Sequence, residues 1–326
     1  MLEQWSLIAD IGGTNARFWV VPEDSISHQW AKQYLVNEFP SFPDVLRQVL
    51  ADIAESRLFT TLPSRACFAV ACPTDVDRIV FTNSHWNFSK DEVAKLLGGC
   101  WVVFINDFVA VAHGVLHLDA GDVRQIGGRS PQEDRVKVVL GAGTGLGVAG
   151  IVPVKGRYVV VESEGGHADY APVGDLQIEV KRRLRRQFNR VCVERVVSGP
   201  GLVNIANALA DIQHRTNRFE TPKAIVEAAI AEQDELALET LTFFCDVAGA
   251  VAGNLALTFG AKGGVYLAGG VIPRFATILA ESGFRSAFED KGRFRSYLAD
   301  IPVCLITHET LGLEGAAQYL KEGMTV

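Results

Sequence analysis

The six cysteines of this chain (Cys67, Cys72, Cys100, Cys192, Cys245 and Cys304) include no C-x-x-C pair and no Cys/His metal spacing. Most lie in apolar runs, so buried, reduced thiols are expected rather than a zinc site. Positive charge is in deficit. Lys and Arg total 31 against 38 Asp and Glu, a net charge of -7, which argues against nucleic acid as the main partner. It does not oppose a polyanion such as ATP, because local backbone donors and Mg²⁺ outweigh a diffuse negative field. No basic-then-apolar leader precedes the first strand. No long polar or repetitive tract is present, and at 21% charged residues the chain has no signature of disorder. The most apolar long stretch, Phe243 to Phe259, carries Asp246 and Asn254 and reads as a core helix, not a membrane span. These absences predict a soluble, cytoplasmic protein with no membrane partner. Its 326 residues, 48% of them hydrophobic, leave room for two domains with cores of their own.

Two familiar phosphate signatures are missing too. No glycine run ends in the Lys-Ser/Thr of a P-loop, and none gives the spaced dinucleotide fingerprint followed by a helix. In their place stands Leu7 to Arg17, LIADIGGTNAR. An apolar run ends in Asp10, passes through Gly12-Gly13, and resumes as an alternating run from Ala16 to Val21, so the spacing predicts a tight β-hairpin. Glycine there lets backbone N–H groups approach a ligand, and Thr14 and Asn15 add polar groups. Asp10, at the strand end, is placed to hold a hydrated Mg²⁺ rather than a phosphate. On this stretch alone, an ordinary glycine hairpin is as good a reading. Val136 to Val148 (VKVVLGAGTGLGV) repeats the plan, with its bend at Gly141-Ala142-Gly143-Thr144-Gly145, and Gly269-Gly270 follows the apolar run Val265 to Ala268. Three strand-then-glycine bends point to one nucleotide held by hairpin loops from two halves of the chain.

Taken in order, the chain predicts strands at Trp30 to Leu35, Cys67 to Ala71, Arg78 to Thr82 and Trp101 to Ile105. Helices are predicted at Phe42 to Ile53, from Ser89, and from Phe108 to about Leu116. The second half replays this order. Strands are predicted at Val138 to Ala142, Gly147 to Val154 and Tyr158 to Val161, then helices at Leu176 to Phe188, within Leu202 to Ala210, Lys223 to Ala231 and Leu236 to Leu257. Strands at Val265 to Ala268 and Val303 to Thr307 bracket a polar insertion, Ser282 to Arg295, and Leu311 to Leu320 closes as a helix. Both halves run hairpin strands first and then alternate helix and strand, the pattern of a duplicated α/β unit. The basic run Lys181 to Arg190 interleaves Val180, Leu184 and Phe188 at helical spacing, so it is the solvated face of an amphipathic helix before it is a nucleic-acid site.

Three polar groups carry the candidate chemistry. Asp107 ends an apolar strand and precedes a helix; it is either an N-cap or a general base for an acceptor hydroxyl, and the two roles compete for its lone pairs. Glu164 and His167 share one bent loop in ESEGGHAD. One Glu and one His make a weak zinc site, whereas paired acceptors and donors suit the vicinal hydroxyls of a sugar. Glu194, ahead of the Ser198-Gly199-Pro200-Gly201 turn, is a third candidate; taken alone, a surface ion pair is the favoured reading.

LIADIGGTNAR, TNSHW, INDFVAV, GAGTGLG, EGGHADYAP, ERVVSGPGLVN, LAGGVIPRF and FEDKGRF together resemble the bacterial glucokinase family of hexose kinases, in the right order over nearly the whole chain. The resemblance implies an α/β, two-lobed actin-like ATPase fold, a duplicated ribonuclease H-like unit with an interlobe cleft. A small lobe would comprise residues 1–117 and 308–326, and a large lobe residues 118–307. It implies ATP:D-glucose phosphotransfer to the 6-hydroxyl, the first step of glycolysis, by a homodimer. Asp107 would be the base and Asn106 would bind the ring beside it. Glu164, His167 and Glu194 would hold other hydroxyls, with Asn83 on the inner wall. Asp10, Ile11, Gly12, Gly13 and Thr14, the loop holding Gly141, Gly143, Thr144 and Gly145, and Gly269-Gly270 would take MgATP. Arg17 would help balance charge on the transferring phosphoryl. Ser163 stands where the family pattern leads us to expect glycine, which stiffens that loop. The cysteine cluster of the zinc-bearing ROK branch is absent. Two rival classes remain. A sugar-sensing regulator would need a DNA-binding appendage, for which the start of the chain leaves no room. An actin- or Hsp70-like ATPase would have no use for EGGH and Glu194.

Overall fold

The computed structural model describes residues 4–23, 25–81, 84–216 and 218–323. The chain divides into two compact units, Met1–Leu118 with Glu309–Val326, and Asp119–His308.

The first unit opens with strands β1 (Trp5–Ile11), β2 (Asn15–Pro22) and β3 (Trp30–Leu35), an antiparallel meander. Helix α1 (Phe42–Glu55) follows, capped by Ser41, whose hydroxyl accepts from the Asp44 amide. Then come β4 (Arg65–Val70), the short pair β5 (Arg78–Val80) and β6 (Asn87–Ser89), α2 (Lys90–Leu96), β7 (Trp101–Asn106) and α3 (Asp107–Val115). The main sheet has the order β3-β2-β1-β4-β7, with β1, β4 and β7 parallel. The central strands β1 and β4 are buried almost throughout because both faces of the sheet are covered there, whereas the edge strand β3 is largely exposed. Leu7, Ala9, Phe68 and Val70 enter one core with Phe18, Phe42 and Trp86, while the alternate residues Ile8, Cys67 and Ala69 enter a second.

The second unit holds β8 (Val123–Gln125), β9 (Lys137–Ala142), β10 (Leu146–Val154), β11 (Arg157–Ser163), α4 (Gly174–Phe188), α5 (Gly199–Ile212), α6 (Pro222–Ile230) and α7 (Glu235–Phe259). It continues with β12 (Gly264–Ala268), α8 (Ala276–Glu281), α9 (Phe284–Glu289), α10 (Arg295–Asp300) and β13 (Val303–Ile306). Its sheet order is β11-β10-β9-β12-β13-β8, with β9, β12 and β13 parallel and β9 to β11 an antiparallel meander. The plan of the first sheet thus recurs, with one added antiparallel edge, β8. Finally α11 (Leu311–Glu322) completes the first unit, placing Leu313, Ala316, Ala317 and Leu320 in its second core.

Helix α7 is long and apolar enough to cross a membrane, yet 78% of its most apolar window is buried within the protein. It starts at Asp234, whose side chain accepts from the Ala237 amide, and ends at Gly260 in the left-handed conformation. The segment Ser282 to Arg295 corrects the expectation of a polar insertion. It carries α9, whose Phe284 and Phe288 are fully buried in the main core, each worth about 1.5–3 kcal/mol of apolar burial. The two phenylalanines stand four apart among charged residues, too short a pattern to register as a helix. In α4, Val180 and Leu184 are buried and Phe188 packs against the core, while Arg182, Arg185 and Arg186 are exposed.

Candidate active site

In the first unit the β1–β2 hairpin bends over Gly12 to Asn15, closed by the Gly12 amide donating to the Asn15 carbonyl at 2.9 Å. Asn15 Oδ1 accepts from the Gln33 amide at 2.9 Å, and Gln33 Oε1 accepts from Arg17 Nε at 3.2 Å, so β3 orients both side chains beside the bend. Asp10 pairs in register with Arg17, whose Nη1 lies 3.8 Å from its carboxylate. Burial pushes the Asp10 carboxyl above its ordinary range, and Arg17 only partly offsets this. Gly312, in the first turn of α11, packs against the same carboxylate: a Cβ there would sit 3.5 Å from it.

The parallel register sets Ile11 against Val70 and Val70 against Asn106. The first glycine bend and Asn106-Asp107 therefore emerge at one edge of the sheet, two strand spacings or about 10 Å apart, at the carboxyl ends where α/β folds bind ligands. The N-cap reading of Asp107 is corrected. Asn106 is the cap of α3, its Oδ1 accepting from the Phe108 amide at 2.8 Å, and Asp107 is the first helical residue. Asp107 Oδ1 accepts from the same amide at 3.0 Å. Two acceptors share one N–H because the strand runs into the helix without a spacer. Asn83 lies outside the described residues; the His85 ring and the Trp86 indole that follow it donate to the Phe39 carbonyl at 2.8 and 3.1 Å.

The second unit carries the other bends. Between β9 and β10 the chain turns at Gly143-Thr144-Gly145, closed by the Gly143 amide on the Gly145 carbonyl at 2.8 Å; Gly141 itself lies in β9. Gly269-Gly270 follows β12 alongside, where the Val271 amide donates to the Ala142 carbonyl at 3.1 Å. Gly269 takes a φ of 86° and packs against Ala142, leaving no room for a side chain. The start of α5 joins them: Ser198 is its N-cap and the Gly199 amide donates to the Gly143 carbonyl at 2.8 Å. The Ser198-Gly199-Pro200-Gly201 run, which reads as a turn, is instead the N-cap and first turn of α5. Serine followed by proline in the first helical turn was the available signal for a helix start.

The loop after β11 folds into one 3-10 turn, Gly165–His167, where no regular element was expected. Ser163, the unexpected residue, accepts the Gly165 amide at 3.0 Å and fixes the entry to the turn. Glu164 and His167 point outward on it, exposed, with Oε2 and Nε2 3.8 Å apart. The turn is bound to the segment before α5, since the Val193 amide donates to the Ala168 carbonyl at 2.9 Å and the Tyr170 amide to the Val191 carbonyl at 3.1 Å. Glu194 is brought in beside it. The surface ion pair favoured for Glu194 is corrected: its Oε2 accepts from the Leu146 amide, 48 residues away, at 3.0 Å.

A glucokinase from an Antarctic psychrotroph has a TM-score of 0.82 to this chain at 33% identity, covering 98% of this chain and 99% of that one. A ROK family glucokinase from Streptomyces griseus, solved with glucose and AMPPNP, shares the fold at a TM-score of 0.66 and 24% identity, over 98% of this chain and 100% of that one. Both neighbours are sugar kinases, and two sheets that each carry a glycine-bent hairpin fit their actin-like ATPase fold. The Glucokinase family model matches residues 7–323. The glucokinase of Hahella chejuensis (strain KCTC 2396) is 41% identical over 318 residues, 98% of this chain and 97% of that one. The chain belongs to the glucokinase family.

Proposed function

We infer that the chain transfers the γ-phosphoryl group of ATP to the 6-hydroxyl of D-glucose, giving glucose 6-phosphate and ADP. The observation that carries this is the emergence of Asp107 and the first glycine bend at one strand edge, in a chain of this family. Asp107 takes the hydroxyl proton as the sugar oxygen attacks the γ-phosphorus and ADP departs. Because the hydroxyl becomes acidic only late in a loose transition state, an ordinary carboxylate suffices. Asn106, Glu164, His167 and Glu194 hold the remaining hydroxyls. The amides of Gly12 to Thr14, Gly143 to Gly145 and Gly269-Gly270 cradle the phosphates, and Arg17 balances charge on the transferring group.

Asp10 fits a bound Mg²⁺. Its carboxylate is mostly buried, its cationic neighbour at 3.8 Å is too distant for a tight pair, and burial favours its neutral form unless a cation is supplied. When bound, the ion neutralises phosphate charge. In this proposal the two units act as lobes about a cleft that closes on the sugar, so that water is denied the γ-phosphate until glucose is in place. Family membership supports that closure and a homodimeric, cytoplasmic form. The scattered cysteines support a place outside the zinc-bearing ROK branch. Coupled ADP release over a panel of hexoses tests the reading: turnover rises with glucose, and ATP hydrolysis that ignores every sugar overturns it.

A further inference from the structure

Leu146 is the first residue after the Gly143-Thr144-Gly145 bend and is 7% exposed. Its amide and its carbonyl both meet the segments that carry the candidate sugar-binding residues. Its amide donates to Glu194 Oε2 at 3.0 Å. Its carbonyl lies flush against Gly166 of the Glu164–His167 turn, where a Cβ would come within 2.1 Å of the oxygen. The carboxylate of Glu194 also fills the space beside Gly145: a Cβ there would sit 2.5 Å from Oε2. The far end of Glu194 is fixed as well, because Ser198 Oγ donates to its carbonyl at 2.7 Å while Gly199, next along, donates to Gly143. Glu194 Oε1 has no hydrogen-bond partner among the described residues.

We propose that Glu194 and the Leu146 peptide couple sugar binding to nucleotide binding within this one unit, with Glu194 acting through Oε2 as the positioning residue of the phosphate bend. The inference rests on the kinase reading above. A sugar hydroxyl donating to Oε1 fixes the carboxylate rotamer and so fixes the bond from Oε2 to the Leu146 amide. The bend is then held with its amides ready for phosphate, and nucleotide binding costs less ordering. The effect is reciprocal by linkage, so nucleotide raises the affinity for sugar by the same factor, about fivefold to a hundredfold for couplings of this kind.

The experiment is titration calorimetry of AMPPNP with Mg²⁺, without sugar and at saturating glucose, on the wild-type chain, Glu194→Gln and Glu194→Ala. The wild type is expected to bind AMPPNP at least fivefold tighter with glucose present. Without sugar, Glu194→Gln keeps an acceptor for the Leu146 amide and binds AMPPNP as the wild type does. Glu194→Ala loses that acceptor and binds roughly tenfold more weakly. Gly145→Ala is the independent variant, since its methyl displaces the carboxylate from the nucleotide side; its glucose Kd is expected to rise at least fivefold. AMPPNP affinity of Glu194→Ala within twofold of wild type, or an unchanged glucose Kd in Gly145→Ala, overturns the coupling and leaves the kinase reading intact. A wild-type chain that binds neither ligand overturns both.

Discussion

Asp107 sits where a strand becomes a helix with no residue between, so its carboxylate is set by backbone geometry rather than by a flexible loop. Asparagine at this position keeps the shape and the acceptor for the Phe108 amide, while losing the capacity to take a proton. Asp107→Asn is therefore expected to fold with an unchanged melting temperature and to lose about 10²- to 10⁴-fold in glucose-dependent kcat, with little change in glucose KM. A steady-state assay beside a thermal melt checks this, and activity within about tenfold of wild type removes Asp107 as the base. Residues of this kind were legible in the sequence because a carboxylate or glycine pair that ends an apolar run is a local pattern. Glu194 was not, since its partner is the amide of Leu146, and no local pattern predicts a hydrogen bond spanning 48 residues.

Helix α3 carries Asp107 at its start and is held along its length by α11. The approach is so close that a Cβ on Gly315 would meet the Ala110 carbonyl at 1.8 Å and the Gly114 amide at 2.7 Å. Beyond that contact, His113 Nδ1 lies 3.0 Å from the Glu322 carboxylate. Gly315→Ala forces the two helices apart at a site with no slack, at a cost of about 1–3 kcal/mol or more. A shift of α3 by about 1 Å at its first turn is enough to reduce kcat roughly a hundredfold. The variant is expected to lose both melting temperature and kcat while keeping nucleotide affinity. If kcat holds at the wild-type level while the melting temperature falls, α11 does not position Asp107. Helices with a long apolar period, such as α1 and α7, could be read directly from spacing. The segment around α9 could not, because two phenylalanines in a six-residue helix supply its whole apolar face and tertiary packing on α7 decides its fate.

At the scale of the molecule, the duplicated order of elements was legible because the same hairpin and bend recurs in each half, preceded in the second by the short strand β8. The order of elements alone does not show that the first unit is completed from the far end of the chain; that expectation comes only with the family resemblance. The second unit is one continuous stretch, Asp119–His308, with its own large core. The first unit depends on α11, which covers Ile8, Cys67, Ala69, Ile105 and Ala110 with Leu313, Ala316, Ala317 and Leu320. Burial of each leucine contributes about 1.5–3 kcal/mol, and the net stability of a domain is only about 5–15 kcal/mol, so loss of the whole helix removes most of what holds the first unit folded. A stop codon at Glu309 is accordingly expected to leave a chain whose second unit persists and whose first does not. Limited proteolysis with mass spectrometry reads this as a resistant fragment that begins near Asp119 and ends at His308, with residues before Leu118 digested. Equal resistance of both parts shows that the first sheet closes its core without α11. Equal loss of both shows that the second core, for all its size, does not stand alone.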